Sequence, residues 1–448
     1  MAGIFKAYDI RGLYPQEIDE NAVHKVGYAF AHYLGKPHIV VGHDMRDSSP
    51  ALNAAFSEGV QAANVDVTDI GMATTPMLYT AIIDGHFDGG AMITASHLPA
   101  QYNGIKLCRE KAIPLSGDDG LPEVEALYRD TDSLPAGGTG QHQSLSFLPR
   151  YLEKLLPFVE GDEPLRVVID AGNGMGGLDT PHLLEHLPHI DAVRMYFEPD
   201  GDFPHHVPNP AEPENTAELQ ERVVTEKACL GFAFDGDCDR CGFVDETGTR
   251  VPADLVVAVL AEYFLKQTPG ATILHDLRAS RAVPERIREL GGNPIKTRVG
   301  HSFIKRKMRE VDAVFAGELS GHYYYKEMGF IDSGILSIIS MLNLLAWKKT
   351  PLSQLVHPLE TYAQSGEINI HVRDASRLFE ALEATYQDGH QEHLDGLSVE
   401  YPDWWFNLRE SNTEPLVRLV MEADDERTLE RQRTRILNLI DPYKVDVT

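Results

Sequence analysis

Cysteine is scarce in this chain: four residues among 448, Cys108, Cys229, Cys238 and Cys241. So few, and three of them so close together, cannot frame a protein of this size with disulfides, and they point to a reducing, cytoplasmic setting. Cys238 and Cys241 form a C-x-x-C. No second pair of soft or imidazole ligands stands at a comparable spacing, so they read as packing residues rather than a zinc or redox centre. Positive charge is also short, with 40 Lys plus Arg against 68 Asp plus Glu and a formal charge of −28. That field disfavours nucleic acid and membrane surfaces as partners, and an anionic substrate would need a local cluster of cations. Long apolar runs are missing too. The longest, Gly334 to Trp347, is interrupted by Ser337, Ser340 and Asn343, too short to span a bilayer and consistent with a buried helix. The first ten residues carry Lys6 and Asp9 and no apolar stretch of signal-peptide length, so neither secretion nor membrane insertion is expected.

What remains is a globular composition, 43% apolar and 24% charged, on a chain long enough for roughly three or four domains of ~100–150 residues each. Val23, Val26, Phe30 and Leu34 recur at helical spacing. His38 to Gly42 is a short β-branched run, and Leu52, Phe56 and Val60 follow Ser49-Pro50, read as an N-cap with a first-turn proline. Val65 to Ile70 and Gly90 to Thr94 read as strands. This alternation predicts α/β layers with mostly parallel neighbours.

Three times a strand-like run ends in an acid: IVVGHD at Asp44, RVVIDAGNG at Asp170 and ATILHD at Asp276. Three times a later apolar run opens into a polar loop: AMITASH, LGFAFDGDCDR and AVFAGELSGH. The expected architecture is therefore three similar mixed α/β domains, 1–145, 146–249 and 250–360. A C-terminal α+β domain follows over 361–448, opening on the alternating strand Ile368 to Val372. Ligands gather at strand ends in open α/β sheets, so the loops can converge on one central cleft.

Each loop has its own chemistry. Asp235, Asp237 and Asp239 alternate after an apolar strand, so their carboxylates can share a side and surround one Mg²⁺. An EF-hand would need Gly where Arg240 stands and helices where strands are expected. An aspartyl phosphatase using Asp235 as nucleophile stays open. Ser96, with His97 beside it and Lys106 ten residues on, could be a nucleophile or phosphoryl carrier, or only a turn residue. Glu318, Ser320 and His322 can accept from and donate to sugar hydroxyls. Arg409, Ser411, Asn412, Thr413 and Arg418 have the makings of a phosphate cradle.

With these four loops in this order, the chain resembles the α-D-phosphohexomutase superfamily, and within it the bacterial phosphomannomutase/phosphoglucomutase branch. The likeness runs from Phe5-Lys-Ala-Tyr-Asp-Ile-Arg-Gly12 through Thr94-Ala-Ser-His-Leu-Pro99, Asp235-Gly-Asp-Cys-Asp-Arg240, Gly300-His301 and Gly317-Glu-Leu-Ser-Gly-His322 to Arg418. Asn103-Gly-Ile-Lys106-Leu and Pro114-Leu-Ser-Gly117 lean toward the phosphomannomutases. The resemblance implies interconversion of mannose 6-phosphate and mannose 1-phosphate, with the glucose phosphates as an alternative, through a phosphorylated Ser96 and a hexose 1,6-bisphosphate that also serves as activator. It implies Mg²⁺ on Asp235, Asp237, Asp239 and the Ser96 phosphate, and proton transfer by Lys106. Tyr8, Arg11, His97, Arg240 and His301 would surround the reacting phosphate, Glu318, Ser320 and His322 the sugar, and Arg409, Ser411, Asn412, Thr413 and Arg418 the distal phosphate. Leu98 stands where the family usually has Asn, and Arg278 on the cleft wall where some members have Lys. A non-catalytic sugar-phosphate sensor, monomeric or dimeric like the enzyme, is the remaining alternative.

Overall fold

The computed structural model describes residues 3–131, 138–411 and 416–445. Four strands recur in each of the first three domains. In the first they are β1 (His38–His43), β2 (Asp66–Met72), β3 (Gly89–Ile93) and β4 (Tyr102–Arg109); in the second β5 (Leu165–Asp170), β6 (Ile190–Met195), β7 (Leu230–Phe234) and β8 (Cys241–Asp245). The third has β9 (Thr272–Asp276), β10 (Asn293–Thr297), β11 (Phe315–Gly317) and β12 (Tyr323–Tyr325). Each time the first strand lies between the second and third, parallel to both, and the fourth returns antiparallel beside the third.

Alternation across the pleat explains why these runs become strands. Ile39 and Val41 of β1 pack on one face and Val40 on the other, and all five residues of β3 and of β7 are buried, as expected where helices cover both faces. Helix Glu20–Leu34 carries Val23, Val26 and Phe30 inward, is capped by the Asp19 side chain on Ala22 N–H, and ends at Gly35 with φ +57°. Helix Ser49–Ala62 differs from expectation at its start: Ser48 holds the N-cap position, while Ser49 Oγ donates to Asp44 Oδ1 at 2.5 Å. The serine serves the strand-end acid instead of the helix. Helix Gly334–Lys348 is buried from Gly334 to Leu345 and lies in a core shared by all three domains.

The fourth domain is an antiparallel sheet in which β13 (Ala363–His371), β15 (Leu416–Ala423) and β14 (Trp404–Glu410) lie side by side, with a core of its own. Its seam with the third domain is polar. Arg281 N–H donates to Glu422 Oε1 at 3.0 Å and its guanidinium to the carbonyls of Tyr401 and Pro402 at 2.5 and 3.1 Å. Among the described residues no helix is long and apolar enough to cross a membrane.

Candidate active site

The three strand-end acids do the same work in each copy: Asp44, Asp170 and Asp276 accept the amide of the residue two places on, Arg46, Gly172 and Arg278. The loop between third and fourth strand then carries the reactive groups. In the first domain that loop places Ser96 at φ +52°, a backbone region that ordinary side chains avoid and functional sites often hold. Arg46, fully buried, spends all five of its N–H donors there. Its Nε reaches Asp44 Oδ2, and its two amino groups reach the carbonyls of Ser96, Leu98, Pro99 and Tyr102 at 2.5–3.0 Å. Leu98 thus enters the loop's bonding through its carbonyl.

In the second domain, the loop 235–240 is stitched to all three α/β units. Thr75 N–H donates to Asp237 O, Met175 N–H to Gly236 O and Gly334 N–H to Cys238 O. A Cβ on Gly236 would meet the Ser96 carbonyl at 2.3 Å, so only glycine lets the two loops touch. Across that contact Ser96 Oγ donates to Asp235 Oδ2 at 2.9 Å and lies 3.2 Å from His97 Nδ1.

One ligand oxygen from each of Asp235, Asp237 and Asp239 lies within 4.8 Å of the others, all three residues being buried. Asp237 Oδ1 is buried without a hydrogen-bond partner among the described residues. Hard oxygens, three charges and spare acceptor capacity suit a divalent cation such as Mg²⁺. Thr75 Oγ1 donates to Asp237 Oδ2 at 2.6 Å, and Lys106 Nζ bridges Asp237 Oδ2 and Asp239 Oδ2 at 2.5 Å each. Burial alone would lower the Lys106 pKa, but Asp237, Asp239 and Asp235 outweigh it and push it up. Desolvation, with Asp239 and Asp237 beside it, drives Asp235 well above the usual carboxylate range. Burial, with Arg240 and Arg11 close by, holds His97 neutral, and burial with Lys305 and Lys106 does the same for His301.

Other expected residues close around this group. Tyr8 donates to Val299 O at 3.2 Å and faces the His301 ring, so the first domain meets the third. Arg11 is held by Asp9 at 2.7 Å, and Arg240 Nε lies 3.6 Å from Asp235 Oδ2 and 3.3 Å from His322 Nε2. His322 links this group to the loop 317–322: Nε2 lies 3.2 Å from Asp239 Oδ1 and Nδ1 2.6 Å from Glu318 Oε1. Burial opposes its charge, Asp239 and Glu318 favour it, and its pKa rises to about 9. The same contact holds Glu318 ionised against burial. Ser320 Oγ also donates to Glu318 Oε1, at 2.6 Å.

The cradle residues form a second cluster. Arg409 and Arg418 stand directly opposite each other on β14 and β15, and Ser411 N–H donates to Leu416 O. Asn412 and Thr413 lie outside the described residues. Arg278 joins the two clusters: its guanidinium grips Asp276 at 2.7 Å, Asp276 Oδ2 in turn accepts the Leu319 amide, and Arg278 shares the Glu367 carboxylate with Arg409. Sequence reasoning missed Arg46, Thr75 and Glu367. The repeated Asp-x-Arg at 44–46 and 276–278 was the available signal for the first.

Three copies of one α/β unit and a fourth domain, their loops joining a strand-end serine to an acid trio, a buried Glu318–His322 pair and paired arginines, define an enzyme of the α-D-phosphohexomutase class. Profiles described as "Phosphoglucomutase/phosphomannomutase, alpha/beta/alpha" domains I, II and III match residues 2–134, 149–248 and 252–362, and that family's C-terminal domain matches 367–439. A Xanthomonas campestris pv. campestris protein named "Phosphohexose mutases" is 41% identical over 446 residues, covering 97% of this chain and 98% of its own. A Salmonella typhimurium phosphomannomutase is 38% identical over 444 residues, covering 97% of each. The X-ray structure of a phosphoglucomutase/phosphomannomutase family protein from Burkholderia thailandensis matches with TM-score 0.91 at 33% identity, over 98% of this chain and 97% of that one. The chain belongs to the phosphoglucomutase/phosphomannomutase family and is a phosphohexomutase acting on hexose phosphate.

Proposed function

We propose that this chain interconverts mannose 6-phosphate and mannose 1-phosphate by lending a phosphoryl group from Ser96 and taking another back. The observation that carries the reading is the 2.9 Å approach of Ser96 Oγ to Asp235 Oδ2, two groups 139 residues apart in sequence. Mannose rests on the names of the relatives and on the Asn103 to Gly117 resemblance.

In the first half-reaction the bond from phosphorus to Ser96 Oγ breaks as a bond from phosphorus to the sugar oxygen forms. The net proton movement is from the sugar hydroxyl to Ser96 Oγ, with Lys106 as the group proposed to carry it. Asp235, Asp237, Asp239 and an oxygen of the Ser96 phosphate would hold Mg²⁺, which supplies charge neutralisation for the transferred group. Arg11, Arg240 and the neutral His97 and His301, with Tyr8, shape the pocket around that phosphate. Glu318 and Ser320, steadied by His322, read ring hydroxyls. Arg409, Ser411 and Arg418, with Asn412 and Thr413 and with Arg278 alongside, hold the phosphate that is not transferred.

The hexose 1,6-bisphosphate then turns over, so that its other phosphate faces the serine and is recovered. A bisphosphate that escapes leaves a bare serine, which is why hexose 1,6-bisphosphate should activate. A coupled assay on mannose 1-phosphate, with and without hexose 1,6-bisphosphate, tests the reading. The expected result is mutase turnover stimulated by the bisphosphate and lost in Ser96→Ala, which still binds sugar phosphate. Net phosphate release indifferent to Ser96 would indicate an aspartyl phosphatase, and binding without turnover a sensor. The same assay on glucose 1-phosphate decides the sugar.

A further inference from the structure

Glu367 belongs to none of the loops discussed so far, yet three arginines converge on it. Its Oε2 accepts from Arg409 Nη2 at 3.0 Å and from Arg278 Nη1 at 3.2 Å, and its Oε1 accepts from Arg418 Nη1 at 3.0 Å. Arg278 comes from the third domain and the other two from the fourth.

The backbone is built to deliver this carboxylate. On β13, Gln364 pairs with Glu422 but Glu367 pairs with Val420, so one extra residue is inserted over Ser365 and Gly366. Gly366 has φ +66°, and Ser365 Oγ accepts the Met421 amide at 2.9 Å, fixing the bulge. Bulges of this kind re-aim a side chain beside active sites. The pairing puts Glu367 on the same face as Arg409 and Arg418, which are themselves directly opposite, a like-charge pair that is unfavourable without a counter-ion.

Charge then decides what the cluster can do. Among the described residues three guanidinium groups face two carboxylates, Glu367 and Asp276, leaving one net positive charge where a phosphate dianion would want two. Arg409 is 3% exposed, and its Nε has no partner among the described residues, so donor capacity remains beside the carboxylate. Burial would raise the Glu367 pKa, but the three arginines outweigh it and keep the group ionised.

We propose that Glu367 is a built-in counter-anion of the distal phosphate cradle: it holds Arg278, Arg409 and Arg418 in register and competes with the substrate's non-transferred phosphate for them. This rests on the mutase reading, which gives the competition a purpose. A bisphosphate can turn over only if the cradle lets go, and an internal carboxylate ready to re-engage the arginines offsets the loss of the phosphate. Glu367 is a positioning residue, acting through the arginines.

Inorganic phosphate titrated into the metal-free, full-length chain tests this by calorimetry, independently of turnover. Glu367→Gln should bind phosphate more tightly, on the order of tenfold, and the gain should vanish in Glu367→Gln/Arg409→Met, placing it at the cradle. In the mutase assay Glu367→Gln should lower KM and kcat together. Glu367→Asp, one methylene short of its three partners, should shift phosphate affinity the same way by a smaller factor, which keeps the test open if the Gln variant does not fold. Unchanged or weaker phosphate binding in a folded variant would overturn the proposal and leave Glu367 a strut between domains. If wild-type protein shows no mutase turnover the mutase reading fails, while the phosphate titration still reports on Glu367.

Discussion

Arg46 shows how one side chain can set the reactive geometry without touching substrate. Its planar fork satisfies four carbonyls of a loop that bends through a left-handed serine, and Asp44 supplies the counter-charge. A lysine cannot reproduce this, having three donors on a point charge where five in a fixed plane are needed. Arg46→Met leaves buried carbonyls unpaired and Asp44 without its counter-charge, so it is expected to cost roughly 3–5 kcal/mol in urea denaturation. In the folded fraction, turnover should fall about 100-fold through misplacement of Ser96, with binding of sugar phosphate to the cradle retained. Arg46→Lys should rescue little of either.

At the scale of the element, the joint between helix Thr75–Asp84 and helix Gly176–Glu185 carries a buried acid. Thr74 Oγ1 donates to Asp179 Oδ2 at 2.7 Å, while Asp179 Oδ1 has no partner among the described residues. Desolvation, only partly offset by Thr74, raises its pKa from 3.8 to about 7. The folded chain therefore keeps a proton that the unfolded chain has released between those values. By linkage this group's contribution is most favourable below about pH 4, declines as pH rises toward 7, and is level above it. Asp179→Asn should remove that slope and be the more stable chain above neutrality, by an amount on the order of a few kcal/mol, as urea midpoints across the window would show.

Elements were also where the sequence was most legible. Runs such as His38 to Gly42 and Leu230 to Phe234 are buried on both faces and announce themselves as apolar stretches, and the three acids at 44, 170 and 276 mark one unit repeated. The motif loops carry chemistry in adjacent letters, so Ser96, Asp235, Asp237 and Asp239 could be singled out one loop at a time. Glu367 could not, because its partners lie 42–89 residues away and no local pattern records such contacts, and for Arg46 the Asp-x-Arg repeat marks the pairing with Asp44 but not the four carbonyls 50–56 residues away. Ser49 differs for a related reason: a serine before a proline reads as a helix cap, and only the fold reveals the nearer acid.

Over the whole molecule, three domains share one core while the fourth keeps its own and meets them through polar contacts such as Arg281 to Glu422 and Gln364 to Asp254. Arg278 to Glu367 spans this polar seam, where the proposed cradle would hold the distal phosphate. Polar seams open more readily than hydrophobic ones, which suits the turnover proposed for the bisphosphate.

Five cations, Arg46, Lys106, Arg278, Lys305 and Arg409, are buried among the described residues, while the chain as a whole carries a charge of −28. A hexose phosphate in dilute buffer therefore approaches an outwardly repulsive body before it feels an attractive interior. Dissolved salt should thin that outer barrier first, since exposed charges are screened over about 8 Å at 0.15 M ionic strength while buried ones are shielded far less. Catalytic efficiency, kcat/KM, should accordingly climb from very dilute buffer to about 0.15 M neutral salt, and stopped-flow capture rates should climb with it. A monotonic decline from the lowest salt would mean that the arginines' field already reaches beyond the cleft mouth.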